Sequence, residues 1–144
     1  MPPVPVLLVL TLAAWARATD YCAVCTDHTM CQFPTDGPAD SCPEVLEHGL
    51  APGDKEEILA AHNAIRSQVK AGNFSEFGLP AAQVMSDLTW SEALATVAQR
   101  WAYQCEFKHD TCRNLKDLMV GQNLAAAWQM PWTSKSWASV VVNT

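Results

Sequence analysis

The residues of this sequence best suited to covalent chemistry are six cysteines, in two groups. Four lie close together upstream and two lie far downstream: Cys22, Cys25, Cys31, Cys42, Cys105 and Cys112. In a protein from an oxidising compartment, an even number of cysteines indicates that they pair as disulfides. At most two bridges can join the groups, and two such bridges would hold the amino-terminal segment against the middle of the fold. Spacing alone leaves the pairing open.

The first eighteen residues are typical of a secretory leader. Residues 4–12 form a short apolar run, and Ala16-Arg17-Ala18 follows as a small-x-small cleavage site. The run is too short to span a bilayer, and no later segment is long and apolar enough to do so. Three prolines among the first five residues oppose the alternative of a buried helix. We therefore predict a signal peptide over residues 1–18 and a secreted, extracellular product.

The upstream cysteines also allow a metal-binding interpretation. Cys22-x-x-Cys25, taken with His28 and Cys31, superficially resembles a zinc knuckle. The ligand spacing is loose, however, and export to an oxidising compartment favours disulfides over thiolates. We therefore expect disulfides here.

The charge of the chain excludes two classes of partner. Nine Lys and Arg residues stand against 15 Asp and Glu, for a formal net charge of −6. An acidic chain that has no basic cluster is not expected to bind nucleic acid or an anionic membrane surface. Its length suits one domain with a modest core.

A first helix is predicted from Asp54, with Glu57 as its capping-box partner, to Gly72. One face of this helix is apolar at helical spacing: Ile58, His62, Ile65 and Val69. A lone histidine on such a face is more often a hydrogen-bonded core residue than a ligand or a base. Asn73-Phe74-Ser75 follows as an N-glycosylation sequon in an expected surface loop, so Asn73 is a candidate glycosylation site.

A second helix is predicted to begin with Thr89 or Ser91 as its N-cap. Its apolar periodicity places Cys105 on the inner face beside Trp101, which favours a buried disulfide over a reactive thiol. Beyond it we expect one or two helical turns over residues 114–119, a turn at 121–123 and a strand or buried extended run at 124–128.

Seven motifs then occur in a fixed order, from Tyr21-Cys22 to about Trp128. They are Tyr21-Cys22, His28-Thr29-Met30-Cys31, His62-Asn63-x-x-Arg66, Leu88-x-Trp90-x-x-x-Leu94, Ala98-x-x-Trp101-Ala102-x-x-Cys105, His109-Asp110-x-Cys112-Arg113 and Val120-Gly121-Gln122-Asn123-Leu124. Together they resemble the antigen 5 branch of the CAP superfamily. That superfamily groups cysteine-rich secretory proteins, venom antigen 5 allergens and plant pathogenesis-related proteins. The resemblance favours an arthropod salivary or venom-gland origin.

The resemblance implies an α+β fold, an α-β-α sandwich with helices on both faces of a small antiparallel sheet. It divides the chain into the leader at 1–18, a cysteine-rich N-terminal extension at 19–53 and a partial CAP (SCP) domain at 54–144. Family segments that include a Gly-His-Tyr-Thr-Gln-like signature have no match here. We therefore expect a C-terminally incomplete chain in which most of the central sheet is missing. It would be either a fragment of a longer sequence, which we favour, or a truncated isoform.

The resemblance also implies a disulfide pairing. By analogy with antigen 5 proteins, the pairs are Cys22 with Cys31, Cys25 with Cys112, and Cys42 with Cys105. The last two are the kind of long bridge that would join the upstream and downstream groups.

The family's central cleft usually holds two histidines and two acidic side chains, which bind a divalent metal in some members. His109 matches the first histidine, and Gln122 stands where many members have Glu. A neutral amide is neither a carboxylate base nor a good metal ligand. We therefore expect no catalytic residues and no cofactor; His109 would be a metal ligand only in a complete cleft.

The function implied is that of a venom allergen-like, monomeric, non-enzymatic protein that binds an extracellular host protein or a small lipid. The alternative is a metal-dependent hydrolase or protease, which would need acidic and histidine residues beyond position 144. A third possibility, an ion-channel blocker, is tied in the family to a C-terminal cysteine-rich module that has no match here.

Overall fold

The structure is a computed structural model that describes residues 19–45 and 48–126. The predicted leader and residues 127–144, which include the end of the predicted strand at 124–128, lie outside the described residues. The described segments contain four α-helices and one 3₁₀ helix. These are α1 Tyr21–Val24, α2 Thr29–Gln32, α3 Asp54–Ala71, the 3₁₀ helix Ser75–Phe77 and α4 Glu92–Ala102.

Strand structure is sparse in the described residues. Isolated β-bridges join His28 to Cys112 and Leu115 to Leu118, and no longer ladder occurs among these residues. The regular secondary structure of the described residues is therefore mainly helical, and the layers of the sandwich stay a prediction. No helix in the described segments combines the length and the apolar character that a membrane crossing requires.

Helix α3 has the predicted extent, and its last turn explains why. Gly72 adopts the left-handed conformation at φ 79°. Its N–H donates to the Val69 carbonyl at 3.0 Å, and the Asn73 N–H donates to the Gln68 carbonyl at 3.0 Å. These two bonds form a Schellman motif, which a glycine completes without steric strain. The glycine therefore ends the helix, as the sequence predicts.

The start of α3 differs by one residue from the prediction. Gly53, not Asp54, is the N-cap, and it makes no side-chain cap bond. The Asp54 carboxylate instead accepts a hydrogen bond from the Ala51 N–H at 2.7 Å. It thereby stabilises the turn that leads into the helix, and as a first-turn acid it interacts favourably with the helix dipole.

The His-Asn-x-x-Arg motif of α3 holds the extended segment at 86–88. The Asn63 side chain bonds both backbone groups of Leu88, at 3.1 and 2.7 Å. The Arg66 guanidinium donates twice to the Ser86 carbonyl, at 3.0 and 2.7 Å. Half-buried His62 pairs through Nδ1 with the Ile58 carbonyl at 2.8 Å, which agrees with its interpretation as a hydrogen-bonded structural residue.

Helices α3 and α4 are linked by an ion pair near their amino termini. Lys55 of α3 pairs with Glu92, the first residue of α4, and its ammonium lies 5.5 Å from the centre of the Trp90 ring. The hydrogen bond from Lys55 lowers the pKa of the Glu92 carboxyl. Both groups are substantially exposed, so the pair contributes little to stability.

Helix α4 begins as predicted but ends before Cys105. Ser91 is the N-cap, and its hydroxyl accepts a hydrogen bond from the Leu94 N–H at 3.4 Å. Cys105 lies beyond the last helical residue, Ala102, in the left-handed region at φ 56°, and it is exposed. The prediction that Cys105 is buried on the inner face is therefore wrong. That prediction extended the helical periodicity of α4 to Cys105, but the helix ends before this residue.

The segment after Cys112 also departs from the prediction. Leu115 and Leu118 exchange backbone hydrogen bonds at 3.1 and 3.0 Å, so residues 114–119 contain a tight turn and not a helix. The Asn114 side chain accepts from the Val120 N–H at 2.9 Å, a local side-chain bond that competes with helix formation. Residues 121–126 follow without turn or strand structure, so the predicted turn at 121–123 is wrong.

The centre of the described region is unusually polar. His28 and Thr29 are 0% and 1% exposed, and they pack where α2, α4 and the loop after α4 meet. The Thr29 hydroxyl donates to the buried Asp110 carboxylate, which also accepts from the Arg113 Nε. The buried carboxylate is therefore paired and hydrogen-bonded, as a buried charge must be.

The structure contains three disulfides, with the pairing that the family resemblance implies: Cys22–Cys31, Cys25–Cys112 and Cys42–Cys105. The last two join the cysteine-rich extension to the loop after α4.

His28 has both ring nitrogens engaged: Nδ1 accepts from the Met30 N–H and Nε2 donates to the Asn114 carbonyl, each at 3.0 Å. The zinc-knuckle interpretation is therefore contradicted, because its ligand atoms are oxidised or already hydrogen-bonded.

The Thr29 hydroxyl should contribute measurably to stability. We expect Thr29→Val to lower the free energy of unfolding by about 1–3 kcal/mol, because the buried Asp110 carboxylate loses a hydrogen bond. Thr29→Ser, which keeps the hydroxyl and loses one methyl group, should cost only about 0.8 kcal/mol. Urea unfolding measures both. Equal stability of the two variants would contradict the role of this hydrogen bond.

Two of the three disulfides should differ in their contribution to stability. Cys25–Cys112 spans 87 residues of sequence and Cys22–Cys31 spans 9. The intact Cys42–Cys105 bridge shortens the loop that Cys25–Cys112 closes to about 24 residues, which is still longer than the loop closed by Cys22–Cys31. Because loop-closure entropy grows with loop length, the double variant Cys25→Ala/Cys112→Ala should lose about 1 kcal/mol more stability than Cys22→Ala/Cys31→Ala. The measurement is urea unfolding of both variants beside the parent. Equal losses would show that the long bridge does not act through chain entropy.

Candidate functional site

The structure brings together the two residues that match cleft positions of the family. His109 Nδ1 lies 2.6 Å from Gln122 Oε1. The amide oxygen accepts the proton of Nδ1, which selects the tautomer whose Nε2 carries a lone pair. His109 is exposed and Gln122 is half-buried. The pair is thus accessible from one side and oriented by its own hydrogen bond.

The loop that carries His109 is fixed on both sides of that residue. Before it, the Trp101 indole of α4 donates to the Lys108 carbonyl at 2.8 Å. After it, Asp110 is held by Thr29 of α2 and by Arg113. The residues directly before and after His109 are therefore held by hydrogen bonds, and the exposed imidazole projects from this fixed segment.

Gln122 is positioned through the peptide groups two residues before it. Val120 donates its N–H to the Asn114 side chain at 2.9 Å, and its carbonyl accepts from the Arg113 guanidinium at 3.3 Å. Arg113 thus connects the two halves of the site, because it bonds both Asp110 and Val120. The side chains of Thr29, Asp110 and Arg113 were not assigned site roles from the sequence, although the His109-Asp110-x-Cys112-Arg113 motif contains two of them.

This arrangement limits the chemistry available at the pair. One imidazole and one neutral amide do not provide a general acid and a general base, and the amide is a weak ligand for a hard or borderline cation. The described residues at this position therefore do not fit a metal centre. Elsewhere in the described segments, one close cluster of potential ligands occurs, at Cys25, Asp27 and Cys112, but its two sulfurs form a disulfide.

Two adjoining cavities flank Gln122 along the surface of α4. The smaller, of about 200 Å³, has an apolar wall from α4 and a polar wall that includes Asp110 and Arg113. The larger, of about 410 Å³, is mostly apolar and is lined by residues that include Trp101 and Leu124. Ala98, Gln122 and Asn123 line both. A concave, mainly apolar surface with a few polar groups is typical of a small-molecule site.

The predicted glycosylation site, Asn73, lies at the end of α3, on a different element from the His109–Gln122 pair. Asn73 follows the Schellman motif of α3 in an exposed turn, with the 3₁₀ helix directly after it. It is thus a surface residue, as the sequon position predicts.

The chain is similar to one protein family and to several named proteins. The model of the cysteine-rich secretory protein family (CAP) matches residues 59–141. The chain is 43% identical over 117 residues to the venom allergen 3 homolog of Dinoponera quadriceps, covering 75% of this chain and 51% of that protein. It is 42% identical over 118 residues to venom allergen 3 of Solenopsis invicta, covering 76% and 50%. It is 41% identical over 129 residues to venom allergen 5 of Rhynchium brunneum, covering 84% and 57%.

The chain spans about half the length of the curated relatives it matches. The matched family region begins within α3 and includes both His109 and Gln122. These similarities agree with the family that the ordered motifs indicate. The chain therefore belongs to the CAP superfamily of cysteine-rich secretory proteins, in its antigen 5 branch.

Proposed function

We propose that this chain is part of a secreted, monomeric, venom allergen-like protein that acts outside the cell by binding and not by catalysis. Its ligand is a small lipid or a host protein. The observation that carries the proposal is the contact between His109 and the amide of Gln122, beside a mainly apolar cavity.

Extracellular location is supported by the cysteines. All six are oxidised in three disulfides, a pattern typical of proteins that fold in an oxidising compartment. Relatives named as venom allergens point the same way. The predicted leader at residues 1–18 would direct the chain there.

A binding role is supported by the partner of His109. A histidine acts as a general base most effectively when a carboxylate or a second titratable group assists it, and here the hydrogen-bond partner is a neutral amide. No contact among the described residues favours the metal-dependent hydrolase. We therefore assign the pair to recognition, in which the Gln122 amide, which lines both cavities, offers a hydrogen bond to a ligand and is oriented by the imidazole.

A small lipid is the ligand class that the cavities favour. The larger cavity, of about 410 Å³, is lined on one side by Ala98, Trp101 and Ala102 of α4. The aliphatic part of a fatty acid or the rings of a sterol would contact these residues, while the polar end would reach Gln122 and Asn123. A mainly apolar wall with a polar rim matches such a ligand.

Introducing a carboxylate should create the metal affinity that the natural residue lacks. Since even residues that only orient metal ligands alter affinity by roughly 10–100-fold, we expect Gln122→Glu to strengthen Zn²⁺ binding by at least about tenfold. Isothermal titration calorimetry with Zn²⁺ gives the comparison. Asn123→Asp is the matched control, because it adds the same charge next to the pair. If the parent protein binds Zn²⁺ as tightly as Gln122→Glu does, the inference that Gln122 makes this position a poor metal site is wrong.

Filling the cavity tests the binding function directly. Ala98→Phe places a ring in both cavities, whereas Ala93→Phe makes the same change at another exposed position of α4 that lines neither. We expect the parent and Ala93→Phe to bind a fluorescent fatty acid or sterol, and Ala98→Phe to bind it about tenfold more weakly or worse, since steric exclusion removes most of the apolar contact. Fluorescence titration of the full-length protein measures this. If the parent binds no fatty acid, no sterol and no protein of host fluid, the proposed function is wrong.

A further inference from the structure

The turn after α3 contains a feature that the proposed function does not use. Asn73-Phe74-Ser75 is the only Asn-x-Ser/Thr sequon with a non-proline middle residue in this sequence. Such a sequon is a substrate for oligosaccharide transfer when it is reached by the secretory pathway and lies on the surface.

The backbone at Asn73 is fixed while its side chain is free to accept a substituent. The Asn73 N–H completes the Schellman motif by donating to the Gln68 carbonyl at 3.0 Å. Asn73 is exposed, so its carboxamide is accessible from solvent. A sugar on Nδ2 would therefore leave the end of α3 undisturbed.

Ser75, the hydroxyl residue of the sequon, is exposed as well. It begins the short 3₁₀ helix Ser75–Phe77, and its N–H donates to the Gly72 carbonyl at 3.1 Å. Its backbone is thus held by the same turn that holds Asn73. The two residues that define the sequon lie together on one short, exposed turn.

The same turn presents an apolar patch to solvent. Phe77 is 73% exposed and Leu79 is 52% exposed. The Phe74 and Phe77 rings lie 6.5 Å apart, and the Leu79 N–H donates to the Phe74 carbonyl at 3.2 Å. Clustered apolar side chains on a surface are typical of interaction sites or of surfaces that favour association. We call residues 74–79, with this patch, the phenylalanine turn.

We propose that Asn73 carries an N-linked glycan, and that this glycan covers the apolar patch of the phenylalanine turn. The proposal rests on the extracellular part of the proposed function. The donor is an oligosaccharide linked to a lipid diphosphate. Nδ2 of Asn73 forms a bond to the anomeric carbon, the bond from that carbon to the diphosphate oxygen breaks, the lipid diphosphate leaves and Nδ2 loses one proton.

The position of the sequon favours this cover over a separate partner. The attachment point immediately precedes Phe74, and the turn brings Leu79 back to the Phe74 carbonyl. A flexible, hydrated glycan rooted at Asn73 therefore reaches both exposed apolar side chains without a second molecule. It would raise solubility by keeping these side chains from contacting other copies.

The test uses the full-length protein expressed with its leader in insect cells. We expect the secreted protein to lose mass on treatment with an amidase that cleaves N-linked glycans, and peptide mass spectrometry to place the modification on Asn73. Asn73→Gln and Ser75→Ala should both abolish it, whereas Ser75→Thr, which keeps the hydroxyl, should retain it. Unmodified Asn73 in secreted protein overturns the inference but leaves the extracellular function intact. Unmodified protein that remains in the cytosol overturns both.

The covering role is tested by self-association. Asn73→Gln should elute from size-exclusion chromatography as larger species at high concentration, while the glycosylated parent stays monomeric. Asn73→Gln/Phe77→Ser, which removes the most exposed ring, should restore the monomer. Monomeric behaviour of Asn73→Gln at every concentration would overturn the covering role, even with a glycan present on the parent.

Discussion

The described structure depends on one buried junction, where the cysteine-rich extension meets the loop after α4. The Thr29 N–H donates to the Cys112 carbonyl at 2.9 Å, its hydroxyl bonds Asp110, and Cys25 is covalently joined to Cys112. Among the described residues, buried polar groups outnumber buried apolar ones. Hydrogen bonds and the disulfide therefore hold this junction together. A buried polar group without a hydrogen-bond partner at the junction would carry a large desolvation cost.

The same junction determines the geometry of the candidate site. Asp110 is both the buried acceptor of the Thr29 hydroxyl and the chain neighbour of His109, so the extension positions the imidazole although it contributes no group to the pair. Arg113 connects the junction to Gln122, because it bonds Asp110 and also the carbonyl of Val120, two residues before Gln122. The cysteine-rich extension is therefore a structural part of the site and not an appendage.

Local patterns in the sequence predicted the elements whose causes are local. The apolar spacing and Gly72 gave the extent of α3, and Ser91 was one of two predicted starts of α4. The fate of Cys105 was not predictable from periodicity, because periodicity does not say where the helix ends. The pairing of Thr29 with Asp110 joins residues 81 positions apart, and no local pattern signals it. The disulfide pairing came from family resemblance alone, as the spacing had left it open.

The amide at position 122 has a second physical consequence beyond the loss of acid–base chemistry. A carboxylate at the mouth of an apolar cavity would have to lose its hydration when a lipid covers it, and that desolvation is far more costly than the desolvation of a hydrogen-bonded amide. Gln122 lines both cavities and already has its oxygen engaged by His109. A neutral Gln122 would therefore lose less hydration free energy than a carboxylate if an apolar ligand covered the site, as the proposed lipid-binding function requires. In the proposed function, the same neutral side chain would both leave His109 without a carboxylate partner and favour an apolar ligand over the site.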